Sequence, residues 1–251
     1  MDAQIKGSTM PVLEMILDAG ESVISTHGEL SWMSSNVQLT QTTNTGGAKG
    51  VMSGLKRMIG GGGLFLTKYE SMGGPGMISF AAKLPGRIFP VDITQGQGYL
   101  VHRHGWVCGT DGILPSMGLQ QTFRGGLYGK EGFILQRLEG NGRAWIELSG
   151  EITTYELAAG QTLLVHPGHV GLFEERVTFA VQRLRGISNM AFGGDGYHLV
   201  TLTGPGNIWL QSLTIPGLAA AVAPYLPDED HHDAAAAGVG GVLGGVIGKN
   251  L

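Results

Sequence analysis

Apolar and polar residues alternate along most of the chain in short stretches bounded by glycine, the two-residue period of half-buried β-strands. One stretch sets a template: Val12-Leu13-Glu14-Met15-Ile16-Leu17-Asp18-Ala19-Gly20-Glu21-Ser22-Val23-Ile24. It returns as Ile88-Phe89-Pro90-Val91-Asp92-Ile93-Thr94-Gln95-Gly96-Gln97-Gly98-Tyr99-Leu100. A third copy is Ile152-Thr153-Thr154-Tyr155-Glu156-Leu157-Ala158-Ala159-Gly160-Gln161-Thr162-Leu163-Leu164. Counted back from the glycine, apolar or aromatic residues hold the same three places: Val12, Ile88 and Ile152; Met15, Val91 and Tyr155; Leu17, Ile93 and Leu157. Each glycine is followed by Glu or Gln, one variable residue and two apolar ones. The pattern predicts strand, tight turn and strand, with the glycine supplying a backbone conformation that a Cβ would penalise.

A second marker keeps the same spacing. Gly74-Pro75-Gly76, Gly140-Asn141-Gly142 and Gly204-Pro205-Gly206 recur at intervals of about 65 positions, each followed by another alternating run. No third glycine opens a helix and no Lys-Ser/Thr follows, so these are expected to be hairpin turns rather than phosphate-cradling loops. Three copies of one β-unit follow, roughly 1–72, 73–138 and 139–215. Together with a short helix around Pro216–Leu226 they form an all-β domain spanning 1–226, and 227–251 is expected to be an acidic linker and tail.

Between the repeats, Thr40–Gly47 reads as a polar loop and Val51–Ile59 as a short amphipathic helix hinged by Gly60–Gly63. The tail from Ala234 to Ile247 contains only Ala, Gly, Val, Leu and Ile. Glycine every fourth residue suits close helix approach, but the run is too short to span a bilayer, and a flexible or oligomer-buried tail is expected.

Composition narrows the function. Only 14% of the 251 residues are charged and 44 are glycine, which suits a fold of many tight turns. The formal net charge of −4 disfavours binding to a phosphate backbone. Cys108 is the one cysteine, so no internal disulfide forms and a reducing compartment is expected. Met1-Asp2-Ala3-Gln4 lacks the layout of a secretion signal, and the expected address is the cytoplasm.

Several stretches carry a family resemblance: Gly20-Glu21-Ser22-Val23-Ile24, Gly54-Leu55-Lys56-Arg57-Met58, Leu64-Phe65-Leu66-Thr67-Lys68-Tyr69 and Gly132-Phe133-Ile134-Leu135-Gln136-Arg137-Leu138. Gly168-His169-Val170, Phe192-Gly193-Gly194-Asp195-Gly196 and Leu202-Thr203-Gly204-Pro205-Gly206-Asn207-Ile208-Trp209-Leu210-Gln211-Ser212-Leu213 continue it in order. In these the chain resembles bacterial members of the altered-inheritance-of-mitochondria family, member twenty-four, once catalogued as a domain of unknown function. The resemblance implies a fold grouped with the tryptophan RNA-binding attenuator proteins and related to double-stranded β-helices. It also implies assembly into homo-oligomers, without implying a biochemical activity. Two stretches depart from the family pattern: Asp195 stands where Glu is expected, and Leu164–His169 replaces an acidic-Thr-Gly-His sequence.

The chemistry-bearing residues give one candidate site. His102-Arg103-His104 after Gly96 matches the opening of the cupin metal motif, and two histidines at this spacing on a strand share a face. His166 occupies the place of His102 in the third repeat. The carboxylate that cupins place next is absent, and Thr26 fills the position in the first repeat. Ordinary strand and turn histidines are therefore the expectation, with a metal on His102, His104 and His166 as the alternative. Glu174-Glu175 reads as a solvated cluster, and Glu70, Asp92, Glu131 and Glu156 are scattered. Trp32, Trp106, Trp145 and Trp209 are not interleaved with Lys and Arg as a base-stacking platform requires, so they are assigned to cores or interfaces and no nucleic-acid partner is expected. The expectation is a non-enzymatic, cofactor-free, self-associating scaffold. A cupin-like binder of metal or small ligand is the alternative, and peripheral membrane or protein association through residues 51–66 or the tail is a third reading.

Overall fold

The computed structural model describes residues 1–43, 65–121, 133–183 and 198–226. Strand β1 (Asp2–Lys6) precedes three six-strand units. The first unit comprises β2 (Val12–Leu17), β3 (Ser22–Thr26), β4 (Trp32–Met33), β5 (Val37–Thr43), β6 (Phe65–Ser71) and β7 (Gly76–Ala81). The second comprises β8 (Gly86–Ile93), β9 (Tyr99–His102), β10 (Trp106–Thr110), β11 (Ile113–Gln121), β12 (Phe133–Gly140) and β13 (Gly142–Ser149). The third comprises β14 (Ile152–Leu157), β15 (Thr162–Val165), β16 (Val170–Glu174), β17 (Thr178–Arg183), β18 (His198–Thr203) and β19 (Gly206–Gln211). The expected boundaries thus fall inside units, 72/73 between the fifth and sixth strands of the first and 138/139 within the fifth strand of the second. The compact body ends at Pro216 rather than at 226.

Within each unit the first strand pairs with the sixth, the sixth with the third, the second with the fifth and the fifth with the fourth, all antiparallel. Each unit is therefore a two-layer ribbon wound as in a double-stranded β-helix. Successive units share a sheet, because the second strand of one pairs with the third strand of the next: β3 with β10 and β9 with β16. The four sheets follow in the orders β1-β2-β7-β4, β5-β6-β3-β10-β13-β8, β11-β12-β9-β16-β19-β14 and β15-β18-β17.

The repeated glycine makes the same turn three times. Gly20, Gly96 and Gly160 have φ of 80°, 84° and 78°, the left-handed value required at the third residue of a type II turn. Glu21, Gln97 and Gln161 donate their N–H at 2.9 Å to the carbonyls of Asp18, Thr94 and Ala158. Their side chains act there as well. Glu21 Oε2 accepts from Asp18 N–H, Gln161 Oε1 from Ala158 N–H, and Gln97 Oε1 from the Thr94 hydroxyl.

The Gly-x-Gly segments are not hairpins. β6 and β7 lie in different sheets, as do β12 and β13, and β18 and β19, so each segment is a corner carrying the chain between layers. Thr40–Thr43, expected in a loop, continue strand β5, as β-branched residues readily do. The helix expected at 51–59 and the tail beyond 226 lie outside the described residues. A helix, α1 (Ile215–Val222), carries Pro216 near its start, where a missing N–H costs nothing, and a 3₁₀ turn at Ala223–Tyr225 follows.

Three hydrophobic clusters fill the body. The first gathers Leu13, Met15, Leu17, Ile78 and Phe80 of the first unit with Val107, Cys108 and Trp145 of the second. The second adds Ile24 and Leu66 of the first unit and Leu172 of the third to Val101, Trp106 and Ile146. The third joins Phe133 and Leu135 to Val200, Leu202 and Ile208. Trp106 and Trp145 are buried, whereas Trp32 is 46% exposed.

Candidate functional site

Strand β9 ends at His102. Gly105 donates its N–H to the His102 carbonyl at 2.8 Å, closing a turn that contains Arg103 and His104. His104 therefore lies beyond the strand and is exposed, and the common strand face expected for the two histidines is not formed. His102 is half-buried, with its Nε2 closed off from solvent and without a hydrogen-bond partner. The ring lies against Gly105, where an added Cβ would come within 2.9 Å of Nε2. Burial, reinforced by the charge of nearby His104, holds the imidazole at about 4, so it is neutral at pH 7. Partial desolvation, followed by the Lys83 and Arg103 charges, also lowers His104.

His166 sits in the third unit, immediately before the 3₁₀ turn Pro167–His169. Its ring meets that of His169 edge-on at 5.7 Å, and His169 Nδ1 donates to the Gln211 carbonyl at 2.8 Å. Burial and His169 lower its pKa. Thus His102 and His166 occupy equivalent places in successive units, each with its own neighbours. Among the described residues no three His, Cys, Asp or Glu side chains converge as a metal-binding group.

Two buried polar side chains serve instead the joints between units, at residues the repeat pattern did not single out. Glu147, 4% exposed, stands at the end of β13. Its Oε1 accepts from the backbone N–H groups of Lys83 at 2.8 Å and Leu84 at 3.3 Å, in the link between the first and second units. Gln211 holds the same place at the end of β19, five residues after the second glycine of its Gly-x-Gly as Glu147 is. Its Oε1 accepts from the N–H of Ser149 at 3.1 Å, the last residue of β13 before the next link, and its Nε2 donates to the Gly168 carbonyl at 3.0 Å. Burial raises the Glu147 carboxyl above its ordinary value, opposed chiefly by the bond from Lys83. Lys83 Nζ also pairs at 2.6 Å with Glu29 of the first unit.

A second set of side chains marks equivalent positions at the end of each third strand. Ser34 Oγ accepts from Met77 N–H at 2.9 Å, Thr110 Oγ1 from Arg143 N–H at 3.1 Å, and Glu174 Oε2 from Asn207 N–H at 3.1 Å. Glu174 is thus a largely buried backbone cap, also held by Arg176 and Asn207 Nδ2, rather than a member of a solvated cluster. Desolvation alone would raise its pKa, but the hydrogen bonds from Arg176 and Asn207 together hold it below the usual value. Glu175 pairs separately with Arg137, and Asp92 with Arg143 at 2.7 Å.

A cleft of ≈ 570 Å³ lies along the segments that lead into the three units and is lined by Gly7, Thr9, Pro85, Arg87, Glu151 and Ser212 among others. Its one ion pair, Arg87 with Glu151 at 3.4 Å, is exposed on both sides and screened by solvent. The cleft offers mostly backbone and small side chains.

No helix among the described residues is long and apolar enough to cross a membrane. The chain matches the family model described as Mitochondrial biogenesis AIM24 over residues 3–213. An uncharacterised protein of Streptococcus pyogenes serotype M6 is 26% identical over 221 residues, covering 86% of this chain and 87% of that protein. A crystal structure of another Streptococcus pyogenes protein superimposes with a TM-score of 0.70 at 22% identity, covering 90% of this chain and 99% of the other. The same three-unit architecture therefore extends beyond this sequence, and the chain belongs to the mitochondrial biogenesis AIM24 family.

Proposed function

We propose that the protein is a non-enzymatic scaffold of the cytoplasm that self-associates and presents its β-body to other macromolecules. One observation carries this reading. The buried polar side chains at the joints, Glu147 and Gln211, use their acceptor oxygens on backbone N–H groups in or next to the inter-unit links, so their chemistry is architectural. The buried thiol of Cys108 fits a reducing compartment. The exposed apolar side chains Trp32, Tyr155 and Leu164 give the surface places at which another chain can be held.

Native mass spectrometry of untagged protein tests the reading. The expected result is a homo-oligomer whose mass is an integer multiple of the chain mass. A strictly monomeric species, or a stoichiometric excess mass matching a metal or small molecule, overturns it.

A further inference from the structure

The first strands of the three units, β2, β8 and β14, hold equivalent places: each pairs on one side with the sixth strand of its own unit. On its other side β2 carries β1, which runs antiparallel to it with Lys6 opposite Val12, Gln4 opposite Glu14 and Asp2 opposite Ile16. Among the described residues β8 and β14 have no such neighbour, and each is the outermost strand of its sheet. The two uncovered edges differ. Pro90 stands in the middle of β8 and pairs with Trp145 of β13, so its ring nitrogen, which has no hydrogen to donate, faces the free edge. Proline at this place closes an edge to further strands. The equivalent residue of β14, six before its turn glycine, is Thr154. Its N–H faces outward as the Pro90 nitrogen does, and by alternation so do those of Ile152 and Glu156. Thr153, Thr154, Tyr155 and Glu156 are all exposed.

Charge says what fits the edge of β14. Glu156 lies near one end of the strand. Glu151 directly precedes the other end, its side chain 81% exposed and met by Arg87 at 3.4 Å. Laid on β14 in the register of β1 on β2, an incoming strand places its first residue opposite Glu156 and its fifth opposite Ile152, beside Glu151. Basic residues suit both places, and an apolar second residue suits the place opposite Tyr155. A second copy's β1 matches poorly, because Asp2 would lie against Glu156 and like charges directly opposed are destabilising.

We infer that β14 takes up an extended basic segment of a different protein as an added antiparallel strand, as β2 takes up β1. Main-chain hydrogen bonds supply the attachment, and Glu151, Tyr155 and Glu156 select the sequence. This deepens the scaffold reading by naming a surface at which the β-body holds a partner, and it rests on that reading.

Disulfide tethering of a short peptide tests the inference. Directly opposed residues of an antiparallel pair bring their Cα atoms to about 4.5–5.5 Å, within disulfide range. Thr154→Cys protein is equilibrated under thiol exchange with acetyl-Lys-Val-Cys-Ile-Lys-amide, whose cysteine falls opposite position 154 in this register. Cys108, 0% exposed, does not compete. The lysine peptide is expected to be captured about tenfold more than its Glu-Val-Cys-Ile-Glu counterpart, in which two like-charge contacts replace two opposite ones. The lysine peptide N-methylated at both lysines keeps its charge and thiol but loses two of the N–H groups that face β14. Its capture is expected to fall to the level of the glutamate peptide. Equal capture of all three overturns the inference. Capture of the methylated peptide equal to that of its parent also overturns it, because charge attraction alone would then explain the binding. A homo-oligomer in native mass spectrometry that the lysine peptide breaks into monomers overturns it too, because a second copy would then hold the edge. An oligomer without selective capture overturns this edge and leaves self-association standing. A monomer that captures the lysine peptide selectively supports this edge and overturns self-association.

Discussion

Glu147 reaches across the joint between the first two units to take the backbone N–H of Lys83 at 2.8 Å, and the side chain that does the equivalent work one unit later is an amide, Gln211. The joint therefore needs an acceptor oxygen and not a charge. Glu147→Gln is expected to leave stability within about 1 kcal/mol, since it keeps the acceptor and removes a buried carboxyl group. Glu147→Ala strands the Lys83 and Leu84 N–H groups and is expected to cost about 1–3 kcal/mol. Urea unfolding of the three proteins checks the order; equal loss in both variants would assign the role to charge or packing.

The histidine at the end of β9 gives a pH dependence of known sign. His102 titrates at about 4 in the folded chain against an ordinary 6.5. Below 6.5 the unfolded chain binds a proton that the folded chain refuses, so stability is full above 6.5 and falls as pH drops towards 4. The loss approaches about 3 kcal/mol. The lowered values of His104 and His166 act in the same direction. The raised carboxyl of Glu147 acts oppositely, its contribution falling as pH rises above the ordinary carboxylate value. Thermal melts of wild type and His102→Leu between pH 4 and 7 isolate the histidine, and an unchanged slope in the variant would exclude it as the cause.

The turn glycines were legible in the sequence because a positive φ restricts residue choice, and the following Glu or Gln was legible for the same turn, where its side chain caps the preceding strand. The repeat and the all-β class followed from them. Strand partnership was not legible: a Gly-x-Gly followed by alternation looks the same at a hairpin and at a corner between layers, and only distant strands decide which it is. The same limit applies to the histidines. His-x-His spacing places two rings on one face only while the strand continues, and here it stops at His102. Glu147 and Gln211 did leave a signal, their common offset from the second glycine, but Ala81 at the corresponding place of the first unit broke the pattern.

Two glycines separate conformational cost from steric cost. Gly20 has φ of 80° and nothing within 4 Å of an added Cβ, so Gly20→Ala pays only for the left-handed backbone, about 1 kcal/mol. At Gly86 an added Cβ would meet the Leu148 carbonyl oxygen at 2.1 Å, where β8 runs beside β13. Gly86→Ala must push two paired strands apart, and a loss of about 3 kcal/mol is expected. Comparable midpoints for the two variants in chemical denaturation would contradict the close packing of these two strands.

Cys108 offers a readout of the first joint itself. It lies 0% exposed on β10, its Sγ 3.9 Å from Met15 Sδ, within the cluster that binds the first unit to the second. Burial, with a contribution from Glu29, pushes the thiol well above its ordinary pKa, so both thiolate and access are lacking in the folded chain. A thiol reagent is therefore expected to label native protein at the rate at which this joint opens, and unfolded protein at once. Glu147→Ala weakens the link beside that joint and is expected to accelerate labelling in proportion to its loss of stability. Glu147→Gln is expected to label at nearly the wild-type rate. Rapid labelling of the native wild-type chain would mean that the units separate readily and that this joint does not hold them together.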